Sequence, residues 1–352
     1  MINKKFIKAV LMQYSGIVGA GIFILPYLFY HSNFHFVLFW LLILAIVMMY
    51  LESLYIDIVV HTKGHHQLAG YAQKYLGKKF SFLATANMLV LGFGVTSAFI
   101  RLGSGFLGQL LPGSPLIVYE LIFLSFLGLF HSSGHRFIER ITQYIPLASV
   151  VIILILFATS IGKSFGALSF PPPNYEFFGG LIFAITGFVI IPDVYRFLKR
   201  EKNKNKKLIW SNRCGTCLAA LTYVIFVIAV LLISGPNLSP DAISGLLKSA
   251  PHLGIIIAIL GIVLTFKACL NFIHSLKVMF LHDYNFSRDK SLLLSLSVPF
   301  LALLLSGFSF SKIISLTGTV TIRVSAFIIV CVKLSQWKRK LKKSKKSSIL
   351  SM

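Results

Sequence analysis

Two short stretches of this chain share one spacing. "GIFILPY", residues 21–27, and "GFVIIPD", residues 187–193, each run glycine, four apolar residues, proline, and each has glycines just upstream: Gly16 and Gly19 in one, Gly179 and Gly180 in the other. Glycine weakens a helix and proline removes a donor from its ladder, so both stretches are expected to unwind. In hydrocarbon, unwound backbone is tolerable only where it lines a cavity or faces a ligand. The first N–H groups of a half-helix present partial positive charge to an anion such as a carboxylate, while freed carbonyls suit an ammonium or Na⁺. The chemistry on offer is non-covalent recognition of a small zwitterion. Gly and Pro also serve close packing and kinks in membrane helices. A second copy at a matching place tips the balance toward binding.

Charged residues inside apolar runs come next, since each costs at least about 2.5–3.5 kcal/mol at the centre of a bilayer unless it faces a polar interior. Lys267 lies in "ILGIVLTFKACLNFIHSLKVMFLHDY", Arg101 in "GVTSAFIRLGSGFLGQLL", and Arg323, Glu52 and Asp57 in runs of their own. Arg101 could meet an acidic group of a substrate or gate the outer side with Glu120, or it could be a structural pair or a snorkelling side chain. A structural role is the first expectation for Arg323. Cys214 and Cys217 form a lone C-x-x-C without a second ligand pair, and His61, His65 and His66 read as solvated loop histidines, so no metal site is expected. No nucleophile and base stand at recognisable spacing, and "GIVGAG" lies in an apolar run rather than between a strand and a helix, so nothing points to an enzyme.

The elements that must position these residues follow from composition. The chain has 352 residues, 56% hydrophobic and 12% charged, with a mean hydropathy of +0.83; a soluble domain carries about 25% charged residues. Ten runs are long enough to span, at about 9–30, 34–60, 82–111, 115–130, 142–161, 177–198, 209–233, 252–280, 292–307 and 312–334, against the roughly 20 apolar residues a crossing needs. With the segments between them alternating sides, 28 of the 34 Lys and Arg fall on the side of the termini. The positive-inside rule then makes both termini cytoplasmic. The net charge of +24 is therefore topogenic: no nucleic-acid partner is expected, and the tail "WKRKLKKSKKSS" reads as an inner-leaflet contact with a disordered end. The two Gly-x4-Pro stretches sit five spans apart, so they run in opposite directions through the membrane, the mark of an inverted repeat. The expected fold is an all-α integral membrane protein of ten transmembrane helices in two inverted five-helix repeats, residues 1–170 and 171–336, with helices 1 and 6 discontinuous and a basic tail at 337–352.

The stretches "GIVGAGIFILPY", "TKGHHQLAGYAQKYLGKK" and "FGGLIFAITGFVIIPDVYR" resemble the amino acid/auxin permease and hydroxy/aromatic amino acid permease branch of the amino acid–polyamine–organocation superfamily. The resemblance implies the 5+5 inverted-repeat fold of bacterial leucine transporters and secondary transport of amino acids coupled to H⁺ or Na⁺. It places the substrate carboxylate against amides around Gly19, Ala20 and Gly21, and the amino group against carbonyls near Phe183, Ala184 and Thr186, with Gly187 completing the second break. Thr186 is the side-chain candidate, or its hydroxyl bonds back to its own helix. Counting back from "HDY", Lys267 and Ala268 fall where sodium-coupled relatives carry an ion-binding Thr–Ser pair. An ammonium there could occupy the cation site and carry the coupling proton, which ranks H⁺ ahead of Na⁺ and asks for no cofactor. The alternatives are a structural Lys267 paired to Glu52, Asp57 or a carbonyl, and a shifted sodium site at Thr265. Asp57 stands where relatives have Glu, and Asp283 where they carry an acid of a cytoplasmic gate, with Lys4, Lys5 or Lys8 as its expected partner. The expected function is an amino-acid permease of the cell membrane working by alternating access. A membrane amino-acid receptor on the same fold is the second reading, on the precedent of germination-receptor subunits, and a degenerate structural subunit the third.

Overall fold

The computed structural model describes residues 3–132, 144–163, 171–302 and 310–350, and every regular element among them is helical. The first run is broken as expected: α1 (Lys4–Ile17), a 3-10 turn (Ala20–Ile24) and α2 (Leu25–His31), with α1 bent by 51° against residues 20–31. α3 (Phe34–His61) follows, then the short α4 (Leu68–Leu76), α5 (Lys78–Leu110), α6 (Leu116–Ser132) and α7 (Ile145–Ser160). The second broken run is α8 (Phe178–Ile185), a 3-10 turn (Phe188–Ile190) and α9 (Ile191–Leu198). The rest is α10 (Lys204–Ser234), the short α11 (Ile243–Ser249), α12 (Pro251–Val278) continued by a π turn (Met279–Asp283), α13 (Arg288–Ala302), α14 (Phe310–Thr317), a second π turn (Gly318–Ile322) and α15 (Arg323–Leu350).

Six helical stretches among the described residues are long and apolar enough to cross a membrane, and the bent pair α1 with Ala20–His31 adds a seventh. Leu116–His131 and Ile145–Ser160 are apolar but shorter. Of the expected runs, residues 142–143 of the fifth and 303–307 of the ninth lie outside the described residues. α3 shows why such helices suit hydrocarbon: Val37, Leu41, Met48 and Tyr55 are buried while Phe39, Ile46 and Tyr50 on the other side are exposed, so the helix is apolar all round. α15 runs on through the basic stretch from 337 to Leu350. Lys, Arg and Leu are good helix formers, and extending an existing helix avoids the cost of nucleation.

α5 lies along α12 and α1 along α10, bringing both broken helices to the middle of the bundle. Phe23 of the first 3-10 turn anchors that break, its ring meeting Phe106 of α5 at 5.3 Å and Phe226 of α10 at 5.8 Å, edge to face. Two glycines set how closely the breaks approach. Gly16 lies within α1 rather than at the break, and a Cβ there would stand 2.6 Å from Ile190; at Gly21 a Cβ would stand 3.3 Å from the Cα of Ala184.

Candidate substrate site at the two helix breaks

A cavity of about 40 Å³ opens where the breaks meet, lined among others by Gly19, Gly21, Phe183, Thr186, Phe99 of α5 and Phe272 of α12. On the α1 side the helix ladder ends with Val18 N–H donating to the Tyr14 carbonyl at 2.7 Å, and the next turn is loose, Ile22 N–H to the Gly19 carbonyl at 3.4 Å. The amides of Gly19, Ala20 and Gly21 open that turn, where no intrahelical acceptor is available. On the α8 side, Thr186 donates its hydroxyl to the i−4 carbonyl of Ile182 at 2.6 Å. The back-bond leaves the oxygen as an acceptor only, which suits an ammonium. The Phe183 carbonyl takes the Thr186 N–H at 3.3 Å, and the Ala184 carbonyl takes the hydroxyl of Tyr223 at 2.7 Å. Each carbonyl keeps a second lone pair. Gly187 is committed on both sides: its N–H donates to Glu52 Oε1 at 2.8 Å and its carbonyl accepts from Gln13 at 3.3 Å.

Four of the seven expected binding residues, Gly19, Gly21, Phe183 and Thr186, thus border the cavity, while Ala20, Ala184 and Gly187 are not part of its lining. Tyr223 of α10 was not singled out from the sequence. Its hydroxyl reaches the Ile17 carbonyl at 3.0 Å as well as that of Ala184, so one phenol spans both breaks. The signal was a single phenol in an apolar helix, whose O–H must find a partner when buried.

Lys267 is buried, with its ammonium donating to the Ser15 carbonyl at 3.2 Å. Ser15 is in the last turn of α1, where carbonyls lack intrahelical donors and the helix dipole is negative, so a cation is favoured there. Of the expected alternatives for Lys267, the carbonyl is the one found. Glu52 binds Gly187, and Asp57 pairs with Lys333 and with His61. The Thr265 hydroxyl turns back to the carbonyls of Gly261 and Ile262 at 2.8 and 2.9 Å. Arg101 faces Glu120 at 3.6 Å, and Arg323 lies 6.0 Å from the centre of the Phe178 ring.

Asp283 corrects one expectation. Its partner is none of the N-terminal lysines: it accepts from the Gln67 and Gly70 N–H groups at 3.1 Å each and meets His66 at 2.8 Å, capping α4 from another helix. Lys5 instead pairs with Glu201 at 3.0 Å. Lys207, with Lys5 and Asn3 behind it, lowers the pKa of the Glu201 carboxyl from the usual carboxylate range to about 2. His65 and His66 are not solvated either: they turn inward, His65 to 3.3 Å from Asp193, which His274 approaches at 3.8 Å. Carboxylates brought near them by the fold, invisible in local sequence, draw them in. A narrower cavity of about 10 Å³ shares Leu91, Val189, Phe272 and Ser275 with the first and is also lined by Gln67.

Two interrupted helices meeting at a cavity inside a bundle of apolar helices define a class, and solved structures share it. Mhp1, a nucleobase-cation-symport-1 family transporter in a closed conformation with bromovinylhydantoin bound, superposes with a TM-score of 0.67 at 13% identity over 89% of this chain and 74% of its own. MhsT in complex with L-phenylalanine gives 0.62 at 14% over 92% and 87%, and a manganese transporter of Eremococcus coleocola 0.59 at 13% over 94% and 75%. The fold is the leucine-transporter type. The chain belongs to the tryptophan/tyrosine permease family, whose profile matches residues 2–351. The tyrosine-specific transport system 1 of Haemophilus influenzae is 25% identical over 157 residues, a match spanning 43% of this chain and 39% of that transporter. These relatives are transporters, not enzymes.

Proposed function

We propose that this protein is a secondary active transporter of an amino acid, an aromatic one such as tyrosine or tryptophan, moved by alternating access in symport with H⁺ rather than Na⁺. The observation that carries this reading is the cavity between the two breaks, which offers amides on one side, an acceptor hydroxyl on the other and aromatic rings beside them. The substrate carboxylate meets the amides of Gly19, Ala20 and Gly21. Its ammonium meets Thr186 and the second lone pairs of Phe183 and Ala184, and its side chain lies among Phe99, Phe183 and Phe272. With only about 40 Å³ of room, enough for a few waters, the site must widen before a substrate enters. One bundle rocking against the other supplies that movement. Residues 1–170 and 171–336 act as the inverted halves, both termini are cytoplasmic in the cell membrane, and neither a cofactor nor nucleic acid takes part.

Lys267 is the coupling group in this reading. Charged, it holds the end of α1 through Ser15; once its proton leaves, that hold weakens to an ordinary amine hydrogen bond. Uptake of labelled L-tyrosine, L-tryptophan and a panel of other amino acids into proteoliposomes, with pH and Na⁺ gradients imposed separately, tests the proposal. Accumulation driven by a pH gradient alone is expected. Substrate binding without accumulation under either gradient marks a receptor instead. The Lys267→Ala variant is expected to lose the response of uptake to pH, and an unchanged pH profile in it overturns the role of Lys267.

A further inference from the structure

Behind the second break lies a carboxyl group whose environment is half built. Glu52, about two-thirds of the way along α3, is 1% exposed. Its Oε1 accepts the Gly187 N–H at 2.8 Å, but its Oε2 has no hydrogen-bond partner. Close enough to act on it as a weak donor stands Asn212 of α10, also 1% exposed, and neither atom of that side-chain amide makes a well-formed hydrogen bond. A buried ionised carboxylate normally collects donors on both oxygens. Here one oxygen is served by the backbone and the other faces an amide that can turn either way.

That arrangement suits two protonation states of one group. With Glu52 ionised, the Asn212 NH₂ can donate to Oε2; with Glu52 protonated, its O–H can donate to Asn212 Oδ1. The Gly187 bond survives both states but is stronger to a charged acceptor. Gly187 follows Thr186, which borders the cavity, so the charge of Glu52 is felt one residue from the substrate. The groups facing the carboxyl are the Gly187 amide from the break and Asn212 from α10. Lys267 holds the other break through Ser15.

We propose that Glu52 carries a proton through the transport cycle and that its bond to Gly187 passes its charge state to the α8–α9 break. The step is a plain proton transfer: Oε2 takes a proton from a hydronium ion that reaches it past the α8–α9 break when the protein opens to one side, leaving water, and returns it to water when the protein opens to the other. No other bond changes. The inference rests on the transport reading, and places one titratable side chain behind each break.

The test uses the full-length protein in proteoliposomes with labelled L-tyrosine and a pH-sensitive dye inside the vesicles. Glu52→Gln keeps an oxygen for the Gly187 N–H but cannot titrate; Glu52→Asp can. In the glutamine variant, pH-driven accumulation and tyrosine-driven proton entry are expected to fall at least tenfold relative to tyrosine counterflow. The aspartate variant is expected to keep measurable proton entry. Accumulation by Glu52→Gln within twofold of the unaltered protein overturns the proposal. So does loss of counterflow, accumulation and proton entry in equal measure in both variants, which marks a purely structural residue. Absence of counterflow in the unaltered protein defeats the transport reading itself, whereas intact counterflow with a fully coupled glutamine variant defeats only the assignment of Glu52.

Discussion

Tyr223 joins the carbonyls of Ile17 and Ala184 through one hydroxyl, so the two broken helices share a donor that neither contains. Tyr223→Phe leaves both buried carbonyls without it, a loss of about 1–3 kcal/mol. A lowered melting temperature and weaker L-tyrosine binding are expected, read by thermal unfolding and equilibrium binding in detergent; unchanged binding would show that the bridge does not shape the site. At this scale the sequence was legible where backbone chemistry is local. The Gly-x4-Pro stretches mark both breaks, and Thr186 lies at one of them. The same residues were opaque where partners come from elsewhere. Nothing near Asp283 in the chain names His66, Gln67 and Gly70 as its contacts.

At the scale of elements, α4 is the piece held most conspicuously by another. It has no side-chain N-cap of its own, and Asp283, at the end of the π turn after α12, serves its first N–H groups instead. Removing a cap of this kind costs about 0.5–2 kcal/mol. Asp283→Ala is therefore expected to speed amide exchange in residues 67–72 more than in α5. Uniform acceleration throughout the protein would instead mark a general loss of stability. Periodicity located the long helices because apolar length is written in consecutive residues. It could not set the 51° bend at the first break.

For the molecule as a whole, the proposed alternating access requires the cavity to face each side in turn. Asn271 borders it. In a variant in which the native Cys214, Cys217, Cys269 and Cys331 are replaced, Asn271→Cys is expected to react with a membrane-impermeant thiol reagent from either side in turn. L-Tyrosine should protect it by severalfold, and reaction from one side only, whatever the gradient, argues for a receptor. The narrower cavity is lined by Gln67, whose N–H donates to Asp283, and an opening on that side would part His65 and His66 from Asp193 and Asp283.

By itself, the sequence determined the membrane setting, the two interrupted helices and the permease family, because hydropathy, helix-breaking residues and motif spacing act over short stretches of chain. Only the tertiary structure decided which backbone groups at the breaks are already bonded, that Lys267 ends on Ser15, that Tyr223 spans both breaks, and that Glu52 lies behind Gly187 with one oxygen unserved. Glu52 and Gly187 are 135 residues apart in the chain, and Lys267 and Ser15 are 252 apart. Such contacts depend on how helices turn and pack against one another, and no local pattern of residues specifies that.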